Sequence, residues 1–415
     1  MAPGRQRDIP DCWGFPDGAY ARRMGGSWAR SRARERIAAI AAESLDAMRL
    51  RGQVLDGLRE VIGYDAYVWL LTDPVTAVGA APLAAVPCLP ELPALIKAKY
   101  ATRVNRWTAL RSQHSPTGRL RDATGGDLAR SLVWREVMSR YRVGDVASVV
   151  FADRHGCWGF LDLWRDDARE PFTNSDAEFL DSVAAQLTAA LRQCQARTFT
   201  EPAISRQPGI GPVVLTLDDD LRIISRTAAS RAWLDVLLPP EPDGRAIPAS
   251  VYNVAAQLLA TEAGVDQHPA VTRVHLDGGL WLTLRAARLA ADGPVPVPAE
   301  PPGTGPAPRP PRGNYGAIVV TIEETSAAGR LELFARAFGL TGRETELLSL
   351  LATGSDTRAM ARQMSLSEHT VQDHLKSIFA KTGARDRVTV LSRALGTQTR
   401  ASKLKKLGYQ DSNLD

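Results

Sequence analysis

From Arg32 onward apolar residues recur at helical spacing, first at Ile37, Ile40, Leu45 and Met48 and then at Val54, Leu55, Leu58, Val61 and Ile62. Gly63-Tyr64-Asp65 breaks this pattern. The β-prone run Ala66–Thr72 follows and is closed by Asp73-Pro74. A hairpin is predicted further on, with strands Val146–Phe151 and Cys157–Trp164 about a turn at Asp153–Gly156. Strict alternation puts Trp158, Phe160 and Trp164 on one face and Cys157, Leu161 and Leu163 on the other. Both faces are apolar, so something must cover each. Helices cover one, and the other is either core or a ligand pocket. Ser175-Asp-Ala-Glu178 reads as a capping box opening a helix with Phe179, Leu180, Val183, Leu187 and Leu191 inward.

A second set of strands begins after a polar break at 198–209. Val213–Leu217 and Leu221–Ser225 flank the acidic triplet Asp218-Asp219-Asp220, and helices are predicted near 228–237 and 248–263. Strands at 270–276, 280–288 and 315–323 complete the set. An acidic group after a strand also suits a magnesium-holding receiver domain. That fold needs a helix after the acids, and no later strand ends in a phospho-acceptor aspartate, so a solvated turn is the better reading. The segment Gly293–Asn314 is dominated by Pro and Gly and cannot form a packed core. It is either an interdomain linker or an insertion within a hairpin. The insertion is preferred, because strand 315–323 would otherwise be missing from its sheet; the segment also suits a proline-recognising partner.

The last quarter of the chain carries the densest signals. Thr341 and Glu344 form a capping box, Leu347, Leu348 and Leu351 continue a helix, and Gly354 suits its left-handed end. Asp356 caps a short helix whose inward residues are Met360, Ala361 and Met364. Ser365-Leu366-Ser367 makes the next turn, and Ser367 caps a helix from Glu368 to about Lys381. Val371, Leu375, Ile378 and Phe379 share its inner face, leaving His369, Gln372, Asp373 and Lys376 outward. Gly383 stops it, and Asp386 caps a last helix with Val388, Leu391 and Ala394.

Composition adds constraints. With 415 residues, 44% hydrophobic and 23% charged, the chain is of ordinary globular character and long enough for several domains. No apolar run reaches membrane-spanning length, and the arginine-rich start has no apolar segment behind it, so the expected location is cytoplasmic. A net charge of +5 is compatible with nucleic acid as a partner without requiring it. Cys12, Cys88, Cys157 and Cys194 are not spaced as a metal knuckle or redox pair; His155 and Cys157, flanking one glycine, are a weak two-ligand zinc alternative. His114, His155, His268 and His275 lie in predicted loops or strands without evident partners, and no phosphate-binding glycine loop occurs. Trp69, Trp107, Trp134, Trp158 and Trp164 suit an aromatic pocket, although core is the commoner role.

The expected fold class is α+β and multidomain. A disordered basic segment 1–30 precedes units at 31–197, 208–325 (with insertion 293–314) and 330–396, and a disordered tail 397–415 follows. The first unit, through Gly156-x-Trp158-Gly159-x-Leu161-x-Leu163-x-Arg165 and Pro171-Phe172-Thr173-x-x-Asp176-x-x-Phe179-Leu180, resembles a GAF-type sensor domain. The second, by element order, resembles a PAS-type domain.

The third resembles the LuxR-type helix-turn-helix family. Matching residues are Leu340, Thr341, Arg343, Glu344, Gly354, Ala361, Leu366, Ser367, Thr370, Val371, His374, Ile378, Lys381, Gly383 and Arg387. The resemblance implies a transcription regulator bound to double-stranded DNA. Gln372, Asp373 and Lys376 would face base edges, with His369 beside them. Ser367, Thr370, Lys381 and Arg358 would hold phosphates. Gln372 and Ala359 depart from the family's usual residues, and Asp373 is suited only to accept from cytosine. One such module buries too little surface for tight specific binding, so a homodimer on two half-sites is expected, through helices 32–62 or 329–338. A small-molecule effector and RNA polymerase are the further partners implied, and no cofactor is. The alternatives are a packing module with a charged face, a sigma-factor region, and a signalling enzyme whose catalytic site lies in the N-terminal domains.

Overall fold

The computed structural model describes residues 26–200, 213–230, 248–276, 280–289 and 316–396. The start of the basic N-terminus, most of the helix expected at 228–237, the Pro/Gly-rich segment and the C-terminal tail lie outside the described residues. The fold is α+β: two antiparallel five-stranded sheets precede a cluster of helices.

Helices α1 (Gly26–Ala42) and α2 (Ala47–Val61) open the first domain. The break between them comes from Asp46, whose carboxylate accepts from the Met48 and Arg49 amides and caps α2. Met48, expected on the apolar stripe, is therefore rotated outward and is 65% exposed. Strand β1 (Ala66–Thr72), β2 (Gly79–Ala85), α3 (Leu92–Ala101), α4 (Trp107–Leu110) and β3 (Thr117–Arg119) follow. After α5 (Leu120–Thr124) and α6 (Leu132–Glu136) come β4 (Val143–Asp153), β5 (Gly156–Asp166) and the long α7 (Asn174–Thr198). The strands lie in the order β2-β1-β5-β4-β3. One sheet face buries Trp69, Ala147, Leu161 and Leu163 with apolar residues of α1, α2 and α7.

Two expectations here are corrected. The capping box of α7 is Thr173 with Asp176, two residues before the predicted pair. Strict alternation fails in β5, because Phe151 pairs with Gly159 but Ala152 with Cys157, leaving Trp158 as an extra residue. Trp158 thus packs with Leu161 and Leu163, while Cys157 joins Phe160 on the other side. Asp153 holds this bulge, accepting from the Trp158 indole and the His155 and Gly156 amides. Cys157 is consequently core, and among the described residues no three His, Cys, Asp or Glu groups gather as a metal site.

The second domain comprises β6 (Val213–Leu217), β7 (Ile223–Arg226), α8 (Ala249–Glu262), β8 (Val271–Leu276), β9 (Leu280–Arg288) and β10 (Ile318–Glu324). Its order, β7-β6-β10-β9-β8, repeats the arrangement of the first sheet. Strand β10 pairs with both β6 and β9, so residues 289–317 connect two neighbouring antiparallel strands. The acidic triplet forms the β6–β7 turn: Asp218 accepts from the Asp220 and Arg222 amides, and Asp220 pairs with Lys97 of α3.

The seam between the two domains is buried, with polar clasps set beside an apolar cluster that spans both. Arg106, stacked over Trp107, pairs with Asp266 at 2.8 Å, and both side chains are 3% exposed. Asp266 also holds His268, a histidine with no partner evident in the sequence. Arg273 on β8 clasps Asp73 at the end of β1, with Nε–Oδ2 at 2.6 Å and Nη2–Oδ1 at 2.8 Å.

Three residues after β10 the chain enters α9 (Ala327–Ala337), capped by Ser326. The helices α10 (Gly342–Ala352), α11 (Thr357–Met364), α12 (Glu368–Thr382) and α13 (Arg387–Leu395) complete the chain. The apolar side of α9 is spent within the molecule. Phe334 and Phe338 pack against Phe199 beyond α7, and Phe199 stacks on Trp281 of β9 at 5.3 Å. The apolar side of helix 329–338, expected as one of two candidate dimer surfaces, is therefore occupied within the chain. No described helix is long and apolar enough to cross a membrane.

Candidate nucleic-acid interface

The four terminal helices owe their boundaries to local chemistry. Thr341 accepts from the Glu344 amide while the Glu344 carboxylate accepts from the Thr341 amide, closing the box at the start of α10. Asp356 caps α11, Ser367 caps α12 and Asp386 caps α13, each accepting from the amide three residues on. Between α11 and α12, Ser365 takes the left-handed conformation at φ 55°, which turns the chain within two residues. Gly383 at φ 61° ends α12 where a side chain would be strained.

Packing then fixes the pose of α12. Val371, Leu375 and Ile378 are fully buried among Leu347, Leu348, Met360 and Met364. Small Ala361 lies at the α11–α12 crossing, and its carbonyl accepts the Leu366 amide across the turn. The other side of α12 faces solvent in the full chain: side-chain exposure is 85% for His369, 55% for Asp373 and 70% for Lys376. Gln372 is half-buried on the same side. Asp373 sits between Lys376 Nζ at 3.3 Å and His369 Nε2 at 3.6 Å, so its charge is offset locally. Such exposed pairs are weak, which leaves Lys376 free to exchange Asp373 for another acceptor.

At the N-terminal end of α12 the Ser367 and Thr370 hydroxyls are 2.9 Å apart, beside the free amides of the first turn. Arg358 is exposed on α11. Lys381 is placed differently from the other candidates. Its ammonium meets both Glu344 oxygens, at 2.8 and 2.6 Å, and the Ser377 hydroxyl donates to the same carboxylate at 2.6 Å. Although Glu344 is buried, these donors and the Thr341 amide pull its carboxyl down to about 2. The capping box was legible as a local motif; its tie to α12, 37 residues away, carries no local signal. Arg387, one of the residues matched from the sequence, bonds Thr357 on α11; sequence reasoning missed Arg393, which bonds the Thr382 carbonyl at the end of α12.

Comparison with known proteins bears on this geometry. The family described as "Bacterial regulatory proteins, luxR family" matches residues 339–394. The chain is 38% identical over 71 residues to a probable HTH-type transcriptional regulator, GfsR, of Streptomyces halstedii, covering 17% of this chain and 29% of that protein. It is 39% identical over 54 residues to the monoamine regulon transcriptional regulator of Klebsiella aerogenes, covering 13% and 24%. It is 32% identical over 63 residues to the transcriptional regulatory protein DesR of Bacillus subtilis (strain 168), covering 15% and 32%. The similarity therefore spans a third or less of each relative. With the turn, caps and packed inner face described above, the C-terminal helices of this chain form a LuxR-type helix-turn-helix domain.

Proposed function

We propose that the protein is a sequence-specific DNA-binding transcription regulator whose two sheet domains act as sensors. The observation that carries this reading is the solvent-open outer side of α12 on a scaffold of the luxR family. In this reading α12 lies in the major groove, where Gln372 and Lys376 meet base edges with His369 and Asp373 beside them. Ser367, Thr370 and Arg358 hold the phosphate backbone. Lys381 works from inside, fixing the angle between α10 and α12 through Glu344. The role is regulatory, not catalytic, and its setting is the cytoplasm. Small-molecule control and contact with RNA polymerase belong to the same reading.

Gln372→Ala tests the recognition side. It should cost roughly 1–3 kcal/mol on the cognate duplex and relax preference at one base pair. Binding to cognate and single-mismatch duplexes at two salt concentrations is the measurement. Equal losses on every duplex would remove Gln372 from base readout.

Two copies are required for affinity, since one such module covers too little DNA surface. With α9 engaged internally, the α1–α2 pair is the remaining candidate for the contact, and Trp28 and Met48 there are 66% and 65% exposed. Light scattering of the full chain on a two-half-site duplex should give two chains per duplex. Tight binding of one chain to a single half-site would sink this part.

A further inference from the structure

The second face of the first sheet is not fully packed. A cavity of about 270 Å³ lies between it and α3, and Ala249 and Asn253 of α8, from the second domain, contribute to its wall. Most of that wall is apolar, as at Leu70, Leu95, Ile96 and Phe160. A buried ion pair interrupts it, Lys99 Nζ to Asp162 Oδ2 at 2.6 Å, with side chains 13% and 4% exposed. Three further polar atoms on lining residues are buried without a hydrogen-bond partner among the described residues: Asp162 Oδ1, Trp164 Nε1 and Asn253 Nδ2. Buried polar groups are almost always satisfied, so three unmet ones on residues that share the wall of a single cavity mark a place suited to a missing partner.

We propose that this cavity binds an uncharged, largely apolar small molecule whose polar head donates to Asp162 and accepts from Asn253 or Trp164, and that its binding sets the fit between the two sheet domains. The size follows from volume: a cavity of about 150 Å³ holds benzene, so this one holds about eleven non-hydrogen atoms. Neutrality follows from the ion pair, because Lys99 and Asp162 already balance each other and a third charge would be buried unpaired. Coupling follows from the position of α8. A Cβ on Gly79 of β2 would come within 2.6 Å of Asn253 Nδ2 and 2.3 Å of Leu70, so beside the cavity the two domains touch with no slack. A ligand bonded to Asp162 on one side and Asn253 on the other bridges the seam, and any difference in its affinity between seam geometries shifts their balance. This proposal rests on the reading of the upstream domains as sensors.

Calorimetric titration of the full chain with 2-naphthol tests it, since that probe has eleven non-hydrogen atoms and a hydroxyl that both donates and accepts. Saturable binding of one molecule per chain is expected. Ala249→Phe, which fills the cavity, and Asn253→Leu, which removes the amide while keeping the shape, should each weaken binding at least tenfold. The anionic 2-naphthoate should also bind at least tenfold more weakly than 2-naphthol. Absence of saturable binding overturns the site, as does unchanged affinity in Asn253→Leu with a wild-type circular dichroism spectrum. Duplex binding measured with and without 2-naphthol separates the two layers. Saturable binding with unchanged duplex affinity would leave the site standing and overturn the control of DNA binding.

Discussion

Arg273→Met should destabilise the protein by about 3–5 kcal/mol and loosen the DNA-binding helices from the two sheet domains. Asp73 is fully enclosed, and Arg273 is its only cationic partner among the described residues. The arginine satisfies both carboxylate oxygens, and its own backbone amide donates to Oδ2 as well. Removing the guanidinium leaves a buried charge with amide donors alone, the costly half of breaking a buried pair. The same guanidinium reaches past the seam: Nη1 donates to the Gly329 carbonyl at 3.1 Å and to Glu332 at 2.9 Å, both on α9. One side chain therefore touches the first domain, the second and the helix that leads into the DNA-binding domain. Glu332→Gln isolates the last branch. Glu332 is 44% exposed, so its loss should cost at most about 1 kcal/mol while changing how duplex affinity responds to an effector. Thermal melting of Arg273→Met, Asp73→Asn and the double variant is the check. A double variant no more stable than the sum of the single losses would mean that the pair is not coupled.

Acid should loosen the DNA-binding domain through Glu344. Its carboxyl is held at about 2 in the folded chain against an ordinary value of 4.5. A depressed carboxyl contributes stability above its unfolded pKa and loses it as pH falls toward the folded one. The contribution is thus complete above about pH 4.5 and disappears toward pH 2, amounting to roughly 3 kcal/mol. Glu344→Gln should flatten that dependence. Lys381→Ala should lower stability at neutral pH, and it should leave the salt slope of DNA binding unchanged because the ammonium is occupied by Glu344. No tryptophan lies between 330 and 396, so indole fluorescence is blind to this transition. Hydrogen exchange of α10 and α12 amides at pH 3 and 7 reads it. Identical pH dependence in wild type and Glu344→Gln would reject the assignment.

What the sequence made legible was what local physics decides. Alternation and turn residues located β1, β6, β8 and β9, and capping side chains located α10 to α13 almost to the residue. Strand β2 escaped because Gly79-Ala-Ala-Pro-Leu-Ala-Ala85 has neither β-branched residues nor alternation. It is nonetheless a strand, at the sheet edge, where Pro82 needs no ladder donor on its outer side. The bulge at Trp158 escaped because period-two reading has no place for an extra residue. The outer residues of α12 were legible from helix geometry, but the position of Lys381 was not. Nor was Arg273, since it and Asp73 lie 200 residues apart and only the fold brings them together.

The place of β10 in its sheet has a consequence for synthesis on the ribosome. The second sheet is made in the order β6, β7, β8, β9, yet its middle is empty until Ile318–Glu324 emerges, because β6 and β9 meet only through β10. Until then the nascent chain carries two separate ribbons, each with an unpaired apolar edge. Chaperone demand should therefore peak while residues 289–317 are being translated and fall once β10 arrives. Translation stopped within that stretch would yield a product prone to edge pairing and aggregation. Because α9 begins three residues later, closure of the sheet and docking of Phe334 onto Phe199 and Trp281 become available almost together. The DNA-binding helices are then born onto a finished platform.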